Sequence, residues 1–145
     1  ARETGFLFAK YYNQGFSYND ICLKMKGDYG KRTGEKEKQY HGFGFWQIDT
    51  GSYPVFINAG DWQDPLKTAI KAVNVLEEKR KYLIQKGWDK KLSAILFERA
   101  ITAAYNCGQG NVNKALSNKK DIDHYTFAKD YSKEVFRYRD IYRNL

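Results

Sequence analysis

The dipeptide Asp64-Pro65 and the glycine at position 87 bracket the strongest helical signal in the chain. An aspartate accepts hydrogen bonds from the free N–H groups of a first helical turn, and proline fits there because it has no N–H to lose. Glycine ends helices by taking left-handed backbone angles at little steric cost. Between these signals Leu66, Ala69, Ile70, Val73, Leu76, Arg80 and Leu83 recur at three- and four-residue steps, which predicts an amphipathic helix built on that stripe.

Further helices follow from similar signals. Lys91 to Ala104 carries Leu92, Ile95, Leu96 and Ile101 and is ended by Gly108; Ala100 to Ala104 is apolar nearly all round, as expected of a buried central helix. Asn111 to Leu116 reads as a short helix. Thr126 to Arg143 places Phe127, Tyr131, Val135, Tyr138 and Tyr142 on one stripe that should pack across the others. Upstream, Ser17 can cap a short helix reaching Met25, with Asp20 at its third position and Ile21 and Met25 on one face.

Two stretches resist this reading. Lys26 to Lys38 is polar and charged and holds three glycines, so a surface loop is expected. Gly51, Pro54 and Gly60 make Thr50 to Trp62 a connection with at most a short strand or turn. The expected fold is mainly α with at most a small β element. At 145 residues one domain suffices, without a metal or disulfide scaffold to hold it. Arg2-Glu3 stands at the very edge of the chain, so an upstream segment is expected to be missing or detached.

Charge and composition narrow the partners without choosing one. Lys and Arg outnumber Asp and Glu by 25 to 17, an excess that favours polyanions such as a bacterial wall, an anionic membrane surface or nucleic acid. Aromatic content of 17% exceeds what core filling usually requires and suits a groove that stacks against flat ligand faces. No apolar run is long enough for a membrane span, and Ala1 to Tyr12 lacks a signal-peptide layout, so the chain reads as soluble and already processed. Cys22 and Cys107 match neither a zinc site nor a CxxC motif, leaving one disulfide or two free thiols open. The Gly27 to Lys36 segment fails the phosphate-loop spacing, and His41 and His124 lack a nucleophile context.

Four motifs carry a more specific message. They are Arg2-Glu3-Thr4, then His41-Gly42-Phe43-Gly44-Phe45-Trp46-Gln47-Ile48-Asp49, then Ala104-Tyr105-Asn106-Cys107-Gly108-Gln109-Gly110-Asn111, then Asp130-Tyr131-Ser132-Lys133-Glu134-Val135. In content and order they resemble the goose-type lysozymes and soluble lytic transglycosylases. The resemblance implies a lysozyme-like helical domain with a buried central helix and a small β element near the cleft. It implies cleavage of the β-1,4 bond between N-acetylmuramic acid and N-acetylglucosamine, with no cofactor and no metal. A monomer acting on peptidoglycan strands at an anionic wall is expected, outside the cell or in its envelope, with no specific nucleic-acid partner.

Within that resemblance Glu3 is the candidate general acid. A carboxyl donates a proton near neutral pH only if its surroundings disfavour ionisation. Phe6, Trp46 and Tyr105 folding over Glu3 would do this, each unit of pKa reflecting about 1.4 kcal/mol. Asp49 matches the aspartate thought to position the attacking water of an inverting reaction, in which the two carboxyls stand roughly 6.5 to 9.5 Å apart. As a residue type alone, Asp49 equally caps the turn with Thr50 and Gly51.

Gln47, Tyr105, Asn106, Tyr131, Phe43 and His41 are the candidate substrate-binding residues. Each also has an ordinary structural explanation: amide hydrogen bonds for Gln47, a helix end for Asn106, core packing for Tyr131, a hydrogen-bonded histidine for His41. Gly42 and Gly44 let the backbone turn or pass close beneath a ligand. One departure stands out, since many goose-type enzymes have a second aspartate where this chain has Lys38. Glu37 beside it is a substitute or one more solvated charge. Two rival outcomes therefore stay open. One is a lytic transglycosylase, in which the sugar's own hydroxyl attacks and leaves a 1,6-anhydro product. The other is an inactive glycan- or nucleic-acid-binding module.

Overall fold

The computed structural model of the chain describes residues 5–144. Arg2, Glu3 and Thr4, and the side chain of Phe6, lie outside the described residues. The described chain is mainly helical, with a small three-stranded antiparallel sheet. It divides into two compact units, residues up to Val73 and residues from Asn74 onward.

The first unit opens with α1 (Gly5–Asn13) and α2 (Tyr18–Lys24). Ser17 caps α2 by accepting from the Asp20 N–H at 3.2 Å, and Ile21, Cys22 and Met25 are buried on its inner face. Strands β1 (Lys26–Gly27), β2 (Gly42–Phe43) and β3 (Ile48–Asp49) follow, β1 pairing with β2 and β2 with β3. The single-turn helix α3 (Pro54–Asn58) and a 3-10 turn (Asp61–Gln63) lead to α4 (Pro65–Gln85), which crosses the boundary between the units. A connection was expected over Thr50 to Trp62. Instead Pro54 starts a helical turn that closes at Ala59, just before Gly60 turns left-handed at φ 78°.

The segment between β1 and β2 is exposed, as expected of a surface loop, but it is ordered. Gly30 and Gln39 exchange backbone hydrogen bonds of 3.0 and 2.8 Å in the same register as Gly27 with Gly42. Residues 28–41 therefore form an arm that continues the hairpin past a short interruption.

Helix α4 begins as predicted, with Asp64 Oδ1 accepting from the Leu66 and Lys67 N–H groups, and Gly87 ends it at φ 74°. Its stripe needs correction. Leu66, Ile70 and Val73 are 68%, 54% and 65% exposed, whereas Thr68, Ala72, Val75 and Leu83 are buried. Thr68 can occupy the inner face because its hydroxyl donates within reach of the Trp62 and Asp64 carbonyls at 2.9 and 2.7 Å. Periodicity finds apolar side chains and passes over a polar one whose hydrogen bonds are met internally.

The second unit holds the remainder of α4 with α5 (Ala94–Cys107), α6 (Gln109–Ser117) and α7 (Tyr131–Arg143). Leu83, Ala100, Ala103, Ala104, Val112 and Ile122 make its core, flanked by Tyr82, Trp88, Leu92, Phe97 and Ile101. The alanines let neighbouring helices approach α5 closely. Ala100, Ala103 and Ala104 of that helix are buried and Ile101, Thr102 and Tyr105 half-buried, while Asn106 near its end and Ile95 and Leu96 near its start are exposed. Helix α7 begins at Tyr131, later than expected, because Ala128 and Lys129 adopt left-handed angles. Phe127 is consequently off the helix and 74% exposed.

Candidate functional site

Asp49 ends β3 at the start of a tight turn, and both its oxygens are engaged. Oδ1 accepts from the backbone N–H and the hydroxyl of Ser52, each at 3.0 Å. Oδ2 accepts from Arg32 Nη1 at 2.6 Å. Burial pushes the carboxyl upward, but the bonds from Arg32 and Ser52 and the Arg32 charge outweigh it, so Asp49 sits below the usual carboxylate range. Its side chain is one-third exposed, an ionised group open to solvent.

Arg32 comes from the 28–41 arm and bridges two carboxylates, its Nη2 meeting Asp28 Oδ2 at 2.6 Å. The root of that arm is closed by His41, which is 1% exposed. Its Nδ1 lies 2.7 Å from the Asp28 carbonyl and its Nε2 2.8 Å from Glu35 Oε1. Both partners are acceptors, so both ring nitrogens are placed to donate, an arrangement that favours the imidazolium. The Asp28 carbonyl holds His41 above the ordinary histidine range, against burial and with help from Glu35. Glu35 accepts from the Arg32 backbone N–H at 2.7 Å, and this bond chiefly, followed by those from Gln39 and His41, lowers it to about 2. The histidine expected at a ligand is thus a tie inside the arm. Glu37 and Lys38 are exposed.

The glycines flanking Phe43 are used internally. The four-residue turn from Gly44 to Gln47 joins β2 to β3, with Gly44 at φ 73° and Gln47 at φ 49°. A Cβ on Gly44 would stand 2.8 Å from Thr68 Cγ2, and one on Gly42 would stand 2.6 Å from Gln47 Oε1. Gln47 Nε2 donates to the carbonyls of Gly44 and Met25 at 2.9 and 3.3 Å. Its amide therefore braces the turn where a glycan contact was expected. Phe43 is half-buried, its ring edge-on to Trp62 at 5.0 Å. Phe45 packs edge-on to Phe8 at 5.6 Å, and Trp46 beside it is 48% exposed.

The remaining candidates belong to the second unit. Tyr105 is half-buried near the end of α5, and the adjacent Asn106 accepts from the Phe127 N–H at 2.9 Å. Asn106 thereby fixes the 3-10 turn before α7, and Tyr131 is buried at the start of that helix. The reading missed Asp123, which is fully buried. It accepts from the Ser132 N–H and hydroxyl at 2.8 and 2.7 Å, and from Arg99 Nη2 at 3.2 Å. Thr126 and Ser132, three and nine residues downstream of it, were the available signal.

The cysteines are free thiols. Burial raises both, Cys107 to about 11 with a contribution from Asp123, so neither is a thiolate nucleophile near neutral pH. Among the described residues no three His, Cys, Asp or Glu side chains are grouped to hold a metal ion. No described helix is long and apolar enough to cross a membrane. A depression of about 380 Å³ in the first unit is lined by Asn19, Leu23, Asp61, Asp64 and Lys67, and none of the described site candidates lines it. No family model, curated protein or solved structure is significantly similar to the chain.

Proposed function

We propose that the chain is a peptidoglycan-cleaving glycosidase acting on the β-1,4 bond between N-acetylmuramic acid and N-acetylglucosamine at the bacterial wall. In this reading Glu3 protonates the departing oxygen and Asp49 positions the water that attacks the sugar, an inverting hydrolysis. A glycosidase divides its two carboxyls between a neutral and an ionised state. The observation that carries the reading is Asp49, an ionised carboxylate held open to solvent in the motif that resembles the family's. The net charge of +8 supports attraction to an anionic wall that weakens as salt rises.

A second reading has its own support. With both oxygens engaged and its basicity lowered, Asp49 is a weak base for activating water. That favours attack by the sugar's own hydroxyl and a 1,6-anhydro product. Digestion of purified peptidoglycan followed by mass spectrometry tests both, because hydrolysis leaves products one water heavier. Glu3→Gln should abolish release of fragments while leaving glycan binding intact. Equal release by wild type and Glu3→Gln would remove Glu3 from the mechanism, and no release by wild type would reject the enzyme.

A further inference from the structure

The 28–41 arm has no counterpart in the motifs that suggest the function, yet it is tied down along its length. Gly30 bonds to Gln39, Arg32 turns back on Glu35, and His41 grips both the Asp28 carbonyl and the Glu35 carboxylate. Fixing exposed residues costs conformational entropy, and here the ties hold one side chain over the end of β3. That side chain is Arg32. Its guanidinium spans Asp28 and Asp49 at 2.6 Å each, and Gly51 leaves it room, since a Cβ there would stand 3.2 Å from Nη1.

We propose that Arg32 is a positioning residue for the Asp49 carboxylate, and that delivering it is the purpose of the arm. This deepens the glycosidase reading and rests on it. A planar guanidinium fixes both the direction and the charge state of a carboxylate it meets at this distance, which an ammonium does less well. The bridge to Asp28 holds the guanidinium on its other side, so that Oδ2 of Asp49 is committed and Oδ1 keeps the face toward Ser52. The charged groups around Asp49 are then Arg32 directly and Asp28 through it.

The pH dependence of peptidoglycan cleavage separates positioning from mere support. In Arg32→Gln, Asp49 loses the cation that keeps it ionised, so the acid limb of kcat/KM should move to higher pH, with the rate at the acid end falling more than the rate at neutral pH. Arg32→Lys keeps the charge and should restore the limb in large part. Asp28→Asn leaves the Arg32–Asp49 bond and should keep the limb near its wild-type place. A ¹³C titration of the Asp49 carboxyl in the same proteins should move in the same direction as the limb. An active wild type whose limb and Asp49 titration are both unmoved by Arg32→Gln overturns the positioning role alone. A wild type that releases no fragments overturns the glycosidase reading and this role with it.

Discussion

The His41 ring and the Glu35 carboxylate meet at 2.8 Å with the ring removed from solvent. A buried charge is tolerated when its partners are all in place, and here both ring nitrogens have one. The pair therefore makes the order of the 28–41 arm depend on pH from two sides.

His41 has its folded value raised, so its contribution is complete below the ordinary histidine value and is lost as pH climbs through the raised one. Glu35 is lowered from 4.5 to about 2, so its contribution is present above 4.5 and fades as pH drops toward 2. Amide exchange at Gly30 and Gln39, corrected for its intrinsic pH dependence, should be slowest between these limits and quicken beyond each. Glu35→Gln should abolish the acid-side quickening. Protection that stays level in wild type from acid to alkaline pH would contradict the pairing.

Gly44 is required by its surroundings as well as by its backbone angle. Gly44→Ala sets a methyl 2.8 Å from Thr68 Cγ2 and 3.0 Å from the Trp62 carbonyl at a φ of 73°. A loss of about 2 kcal/mol in urea unfolding is expected. Gly30→Ala meets open space and should change stability by less than about 0.5 kcal/mol.

The parts of the fold legible in the sequence are those decided within a few residues. Ser17 bonds to the Asp20 N–H, Asp64 to the first turn of α4, and Gly87 and Gly108 turn left-handed at helix ends. Each needs only neighbours that the sequence already displays. What was illegible depends on partners beyond the span of a single helical turn. Thr68 is buried because Trp62 offers it a carbonyl, and His41 faces a glutamate across a hairpin whose pairing no local signal announces. The candidate site divides the same way: the turn-capping role of Asp49 could be read from Ser52 nearby, whereas its bond to Arg32 spans the arm.

Asp123 anchors the start of α7 from within the second unit. Asp123→Ala leaves Arg99 without its buried partner and two Ser132 donors unmet, so a loss of about 3 kcal/mol is expected in denaturant unfolding. Lys133 pairs with Asp121 at an exposed site, and Lys133→Ala should cost less than about 1 kcal/mol. Comparable losses from the two would mean that Asp123 is not the anchor.

The two faces of α4 give a direct comparison. Leu83→Ala removes a fully buried side chain and should cost about 3 kcal/mol, while Val73→Ala at 65% exposure should change stability by less than about 0.5 kcal/mol. Equal effects in urea titrations would return Val73 to the inner stripe.

Gln47 folds its amide into the space that side chains at positions 27 and 42 would need. The three positions are consequently one unit of inheritance. A side chain at either glycine would turn the glutamine amide away, and the carbonyls of Met25 and Gly44 would then keep only the backbone N–H groups of Gly44 and Gln47 as donors. A change at any one of the three therefore calls for an adjustment at the others, whether or not the motif touches a sugar.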